Sequence, residues 1–255
     1  MKAVGESVSD PLTYYDVNVG GTISVLSAMS KAECNNMVFS SPATVYGIPQ
    51  YLPYDEEHPT NPVNPYGRTK LMIENIILDW TKVNSKRKGT ILRYFNPTGA
   101  HESCQIGEEP IGIPNNLMLY TAQVASGRQE LLKIYGDKYD TIDGTGSKDY
   151  IHVVDLSNAH LKALENQFNL ESFSIMNIGS GKGTTVFELV KSFQDISEIN
   201  IKFKIVDCRD GDLPAFWADA SHAFKLIGWR ASLNLDRICL DTWRWQSNNS
   251  NGYDK

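Results

Sequence analysis

Apolar residues recur along this chain with distinct periods, and each change of period marks a new element. Leu12, Tyr15, Val19, Ile23 and Leu26 stand three or four apart, the spacing of one helix face. Asp10-Pro11 precedes them, and this pair opens a helix well because Asp caps free N–H groups and Pro suits the first helical position. Met37-Val38-Phe39 is a short apolar run closed by Ser40-Ser41, which predicts a buried strand. A Pro- and Gly-rich loop follows over about 42–65, then a second helix from Tyr66 to about Lys82 with Ile73, Ile76, Ile77 and Trp80 on its apolar side. Thr90-Ile91-Leu92-Arg93-Tyr94-Phe95 reads as the next strand. Alternation of helices with apolar strands is the pattern of a parallel sheet covered on both faces, so the predicted class is α/β.

Beyond Asn96 the texture changes to longer Gly- and Pro-rich loops, about 101–114 and 137–148, with shorter elements between them. A domain boundary is expected near Asn96, giving units 1–95 and 96–255, with a frayed tail from Gln246. The 255 residues are 41% hydrophobic, enough for one large core or two modest ones. A net charge of -6 argues against a protein that coats nucleic acid. The dense basic run Lys82, Lys86, Arg87 and Lys88 reads as the solvated C-terminal end of a helix. Cys34, Cys104, Cys208 and Cys239 are scattered, which speaks against a zinc site or a disulfide framework and for a reducing compartment. No apolar run has the length of a membrane span, and the first residues lack a secretory signal, so the cytosol is expected.

The sharpest chemical signal is Tyr66-Gly67-Arg68-Thr69-Lys70. Tyr and Lys four apart share one helix face. A tyrosine is a poor base because its pKa is about 10, but a nearby ammonium favours the phenolate. Alone, this spacing is weak. Here it follows Ser40-Ser41-Pro42-Ala43-Thr44-Val45-Tyr46-Gly47 and Asn64-Pro65, and precedes Leu92-Arg93-Tyr94-Phe95-Asn96-Pro97-Thr98-Gly99-Ala100. Lys2-Ala3-Val4-Gly5-Glu6-Ser7, Gly112-Ile113-Pro114-Asn115-Asn116-Leu117-Met118, Asp149-Tyr150-Ile151-His152-Val153-Val154-Asp155-Leu156 and Trp243-Arg244-Trp245-Gln246 complete the set.

In this order, over essentially the whole chain, the segments resemble the extended short-chain dehydrogenase/reductase family, and within it the UDP-glucose 4-epimerases. The resemblance implies a Rossmann-like doubly wound parallel sheet in 1–95, with NAD as cofactor, and a smaller UDP-sugar-binding domain in 96–255. It implies Tyr66 as catalytic base and Lys70 as its partner on the nicotinamide ribose. Lys2, Tyr94 and Phe95 fall where the family lines the cofactor and the reacting sugar. Thr44, Asn96, Asn115, Asn116, Leu117, Ile134 and Tyr135 resemble UDP-sugar contacts, and Arg209 and Asp212 contacts to the diphosphate and ribose. The implied reaction interconverts UDP-galactose and UDP-glucose: Tyr66 takes the proton of the sugar O4, NAD holds the hydride of C4, and the keto sugar turns over before the hydride returns. A homodimer and a role in galactose metabolism are implied for the full-length protein, without nucleic acid, membrane or metal.

The chain also departs from that pattern. No G-x-x-G-x-x-G segment stands before Lys2, so the resemblance implies a shortened chain that lacks the family's leading βαβ units and much of the adenosine side of the NAD site. Pro42 replaces a serine whose hydroxyl orients the reacting sugar oxygen. Ser41 and Thr44 are the two candidates to substitute, and Ser41 is poorly placed because alternate strand residues face opposite ways. Lys148 stands where the family has an arginine, keeping charge but losing a bidentate fork. Phe216 falls at a position whose size in the family gates the sugar pocket, so the resemblance implies that a ring there excludes N-acetylated sugars. Two other readings stay open: a related nucleotide-sugar dehydratase or decarboxylase, which would want an acid where Pro42 and Ala43 stand, and a non-catalytic UDP-sugar-binding protein. Gly179-Ser180-Gly181-Lys182-Gly183-Thr184 lacks the Walker spacing and reads as a strand end before a helix capped by Thr185 and Glu188. Gly144-Thr145-Gly146 reads as a turn, His152 as a satisfied core residue, and Trp229, Trp243 and Trp245 as packing anchors.

Overall fold

The computed structural model describes residues 1–110, 112, 114, 116–209, 212–250 and 252–253. Helices α1 (Val4–Ser9) and α2 (Pro11–Tyr14) lead into a π-helical turn, Tyr15–Gly20, and α3 (Gly21–Lys31). Strand β1 (Asn36–Pro42) ends in a 3-10 turn, Ala43–Val45, and α4 (Pro65–Lys82), β2 (Lys88–Tyr94) and β3 (Asn96–Thr98) follow. Then come α5 (Leu117–Ala125), β4 (Leu132–Tyr135), β5 (Ser147–His152), α6 (Val153–Asn166), β6 (Phe173–Ile178) and β7 (Gly183–Thr185). The chain continues with α7 (Val186–Ser197), β8 (Phe203–Val206), β9 (Ala215–Phe216), α8 (Ser221–Ile227) and α9 (Leu235–Asn248).

Two compact units form. The first comprises Met1–Tyr94, Asn158–Ile178 and Asp219–Arg230, and the second Phe95–Ser157, Gly179–Ala218 and Ala231–Lys255. The sequence places one boundary near Asn96, but the chain re-enters the first unit twice. The reason is strand pairing: β6 lies parallel to β2, from Gly89↔Phe173 to Tyr94↔Ile178, and α8 packs on β6.

The first unit is built on the parallel sheet β1-β2-β6. Ile73, Ile77 and Trp80 of α4 pack with Leu26, Phe39 and Ile91. Burying each such side chain stabilises by roughly 1.5–3 kcal/mol. Asn64 Oδ1 accepts the Gly67 N–H at 2.9 Å and Pro65 fills the first turn, so α4 starts at a fixed residue. The basic run divides: Lys82 is exposed, whereas Arg87 stacks on Trp80 at 4.7 Å and Lys88 opens β2.

At the N-terminus the helical face keeps the predicted spacing at Val19 and Leu26, which join the core, and departs from it elsewhere. Tyr14, Asn18 and Leu26 are buried, while Leu12 is 78% exposed and Ile23 is exposed as well. The π-helical turn adds a residue to the register, so an apolar stripe read at a 3.6 period rotates away from the core.

In the second unit, β5 is central: β3 and β9 pair with it in parallel and β7 antiparallel, while β4 and β8 form a separate parallel pair. Met118, Leu132, Ile134, Phe193 and Ile238 are among its core. Thr185 and Glu188 form the predicted capping box on α7. The tail is ordered further than expected: Trp245 and Gln246 are buried in α9, and Tyr253 bonds Gly107 through its hydroxyl. His152 is fully buried; its Nδ1 accepts the Val154 N–H at 3.0 Å and its Nε2 meets Asp241 Oδ2 at 3.2 Å.

Candidate active site

Tyr66 is the second residue of α4 and is buried. Lys70, one turn on, holds its Nζ 5.9 Å from the Tyr66 ring and 5.0 Å from the Phe39 ring. Neither the Tyr66 hydroxyl nor the Lys70 ammonium has a hydrogen-bond partner among the described residues. Gly67 lets α4 approach the 3-10 turn, since a Cβ there would stand 3.0 Å from the Thr44 carbonyl oxygen and 2.8 Å from Pro62 Cβ.

Burial pushes the Tyr66 phenol well above its ordinary pKa, and Tyr94 and Tyr14 add to the rise. Burial also lowers Lys70. Within the protein alone, desolvation of the phenolate is the largest influence on Tyr66, and Lys70 is not among the groups that shift it.

Thr44 lies on the 3-10 turn with its Oγ1 buried and without a partner. Pro42, the register partner of Tyr94, has φ -92° and ψ 155°, an extended backbone that serine also adopts. Ser41 is fully buried and donates its hydroxyl to Glu74 Oε1 at 2.5 Å, so that hydroxyl is occupied. Lys2 is exposed just before α1.

Two residues beside this site escape the sequence reading. Tyr14 is fully buried; its hydroxyl accepts the Ala3 N–H at 2.9 Å and meets Glu6 Oε2 at 2.7 Å. Asn18 donates to Thr69 Oγ1 at 3.1 Å and accepts from the Met1 ammonium at 2.8 Å, tying the π-helical turn to α4 beside Lys70. A polar residue flanked by Val17 and Val19 is the one signal that could have marked Asn18.

The second unit gathers most of the residues that resemble nucleotide-sugar contacts. Phe95 lies 6.2 Å from Phe216, and Lys148 holds its Nζ 5.9 Å from the same ring. Lys148 and Phe216 are register partners on β5 and β9. Burial lowers Lys148, with Asp212 opposing and Arg209 reinforcing that shift. Arg209 lies over Tyr135 at 4.3 Å and pairs with Asp212, Nε to Oδ2 at 2.9 Å.

Asn96 donates to the Asp149 carbonyl at 3.0 Å, and Asn116 caps α5 by accepting the Met118 N–H at 3.0 Å, just before Leu117. Ile134 spends its side chain on the core, whereas Tyr135 points out of it. Asn115 lies outside the described residues, as do Asp210 and Gly211 between Arg209 and Asp212.

Asp149 holds this region together. Its carboxylate is fully buried and accepts the N–H groups of Ser180 at 2.8 Å, Gly181 at 3.0 Å and Ala218 at 3.1 Å, together with the Ser180 hydroxyl. Ala218 lies two residues past Phe216, so the carboxylate anchors the segment that carries that ring.

Among the described residues no cluster could hold a metal ion, and no helix is long and apolar enough to cross a membrane. Residues 1–242 match the sequence profile of the family described as GDP-mannose 4,6 dehydratase. At finer grain, the chain is 51% identical over 254 residues to the UDP-glucose 4-epimerase of Bos taurus, covering 99% of this chain and 73% of that one. The Erwinia amylovora UDP-glucose 4-epimerase is also 51% identical over 253 residues, with 99% and 75% covered.

Among solved structures, the Stenotrophomonas maltophila UDP-glucose-4-epimerase with bound NAD and formylated UDP-arabinopyranose superposes with a TM-score of 0.96 at 44% identity, covering 98% of this chain and 74% of that one. The Bifidobacterium longum UDP-glucose 4-epimerase in complex with NAD+ and UDP superposes with a TM-score of 0.94 at 44% identity, covering 99% and 76%. This chain belongs to the UDP-glucose 4-epimerase family.

Proposed function

We propose that this chain is a UDP-glucose 4-epimerase, an isomerase that interconverts UDP-galactose and UDP-glucose with NAD as cofactor. The observation that carries the reading is the set of unpartnered polar groups in the first unit: the Tyr66 phenol, the Lys70 ammonium and the buried Thr44 Oγ1. A buried polar atom is normally hydrogen-bonded, so the orphaned Thr44 Oγ1, together with a phenol and an ammonium that spend no hydrogen bond among the described residues, fits a polar ligand. NAD fits these donors, with Lys70 and Tyr66 suited to its ribose hydroxyls. Bound there, it supplies a reversible store for the hydride of the sugar C4.

The chain's own work is then proton transfer and orientation. Tyr66 takes the proton from the sugar O4 and later returns it. Because burial holds the phenol protonated at neutral pH, the lowering of its pKa falls to positive charge brought close to the ring, and Lys70 keeps one such charge on the same face. Thr44 Oγ1 orients the reacting oxygen, a role that neither Pro42 nor the occupied Ser41 hydroxyl can fill.

In the second unit, Arg209 and Lys148 carry positive charge suited to a diphosphate, and Tyr135 and Phe216 present rings to the nucleotide sugar. Cytosolic location and a homodimer belong to the same proposal. The division of labour between 1–95 and 96–255 read from the sequence is kept in it, with the re-entrant segments 158–178 and 219–230 joined to the cofactor unit.

One observation favours a second reading, a non-catalytic UDP-sugar-binding protein: the hydroxyl that would stand at Pro42 is absent. Absorbance and equilibrium binding separate the two. The epimerase reading predicts that the purified protein retains or takes up NAD as well as UDP. Saturable UDP binding without uptake of NAD favours the second reading and refutes the first.

A further inference from the structure

Helix α4 places Glu74 one turn beyond Lys70, a spacing at which lysine and glutamate pair readily on a helix surface. Here they do not pair. The Glu74 carboxylate is 3% exposed and is held by the sheet instead. Arg93 of β2 donates through Nη2 to Oε2 at 2.6 Å and through Nε to Oε1 at 3.2 Å. Ser41 of β1 donates to Oε1 at 2.5 Å. Ser41 and Arg93 are direct register partners, so both donors meet the carboxylate at one point of the sheet. The Arg93 guanidinium also lies 4.8 Å from the Tyr46 ring, and Tyr46 donates to Asn177 Oδ1 of β6 at 2.7 Å. The network therefore runs from α4 across all three strands. Desolvation consumes much of the Coulomb gain of a buried ion pair, so stability alone is a weak reason for this one.

We infer that Arg93 and Ser41 are positioning residues that hold the Glu74 carboxylate away from Lys70, keeping the lysine's charge for Tyr66 and the bound ligand. The inference rests on the proposed roles of Tyr66 and Lys70. Among the described residues, Tyr94 of β2 and Tyr14 of α2 act on the Tyr66 phenol, and Tyr14 is itself bonded to Glu6 of α1. The Met1 ammonium is taken by Asn18, and Asp10, Asp16 and Lys31 on the neighbouring helices are exposed. Once the clamp is broken, Glu74 becomes the nearest carboxylate on the helix face of Lys70.

Competitive acetylation of the full chain with limiting acetic anhydride, from neutral to alkaline pH and read by peptide mass spectrometry, gives the titration midpoint of Lys70 without any need for turnover. Arg93→Met is expected to raise that midpoint by on the order of one pH unit, because the freed carboxylate reaches the ammonium. Adding Glu74→Gln to the same chain is expected to return it to the original value, which a general loosening of the fold would not do. Arg93→Lys keeps the charge but loses the fork, and a smaller rise is expected; it carries the test if Arg93→Met does not fold. A midpoint unmoved in the folded Arg93 variant, or a rise that Glu74→Gln leaves in place, overturns the inference. A reversible rise with unchanged epimerase turnover upholds the clamp and counts instead against Tyr66 and Lys70 as the catalytic pair.

Discussion

Replacing Thr44 by valine separates function from stability with opposite signs. Thr44 Oγ1 is buried and unpartnered in the free chain. An unsatisfied polar group of that kind costs about 1–3 kcal/mol. Valine keeps nearly the same shape and removes the hydroxyl, so the free protein is expected to gain about 1 kcal/mol or more, which for a chain of this size raises Tm by about 2–4 °C. The same change removes the hydroxyl assigned to the reacting sugar oxygen. By analogy with the loss of one oxyanion-hole donor, kcat is expected to fall by about 10²-fold. Urea or thermal unfolding of the unliganded protein measures the first effect, and conversion of UDP-galactose the second. A destabilised variant with undiminished turnover would refute the reasoning on both counts, since it would mean that Thr44 is satisfied within the protein and idle in catalysis.

Three further outcomes follow from particular contacts. Burial pushes the Tyr46 phenol up from 10.0 to about 12, against the pull of Arg93. A raised folded-state value contributes stability that is full below pH 10 and lost as pH rises through 12, worth roughly 2.7 kcal/mol at full titration. Urea unfolding across that window is expected to show a smaller alkaline loss in Tyr46→Phe, and an equal loss would assign the effect elsewhere. Asp149→Ala strands three backbone donors and is expected to cost about 3 kcal/mol or more in urea unfolding while weakening UDP binding, because it frees the Phe216 segment. Phe216→Ala is expected to admit UDP-N-acetylglucosamine as a substrate; efficient turnover of that sugar by the unaltered chain would sink the gating role.

How far the sequence could be read depended on whether the controlling contact was local. Tyr66 and Lys70 share a helix whose start is set by adjacent residues, Asn64 and Pro65, and whose apolar stripe is periodic, so the helix and the shared face of the two side chains were legible. The capping box at Thr185 and Glu188 is equally local. The π-helical turn over Tyr15–Gly20 was not legible, because its longer repeat leaves no periodic signature, and the spacing therefore favoured Leu12 and Ile23 where the fold buries Tyr14 and Asn18.

Long-range pairing was hidden for a different reason. Arg93 and Glu74 meet through a helix–strand packing that joins residues 19 positions apart, and β6 returns to β2 after a whole second set of elements has formed. Asp149 stood in the sequence only as the first letter of a segment that resembles the family, yet its role comes from backbone donors at Ser180, Gly181 and Ala218, which no side-chain pattern announces.

The central claim is that this chain epimerises a UDP-sugar through Tyr66. Its most direct test is to supply the purified protein with excess NAD and UDP-galactose and follow the appearance of UDP-glucose, beside Tyr66→Phe. The account predicts turnover by the unaltered chain that the loss of one phenolic oxygen abolishes. Saturable UDP binding with no turnover in either protein, or turnover that survives Tyr66→Phe, would contradict it.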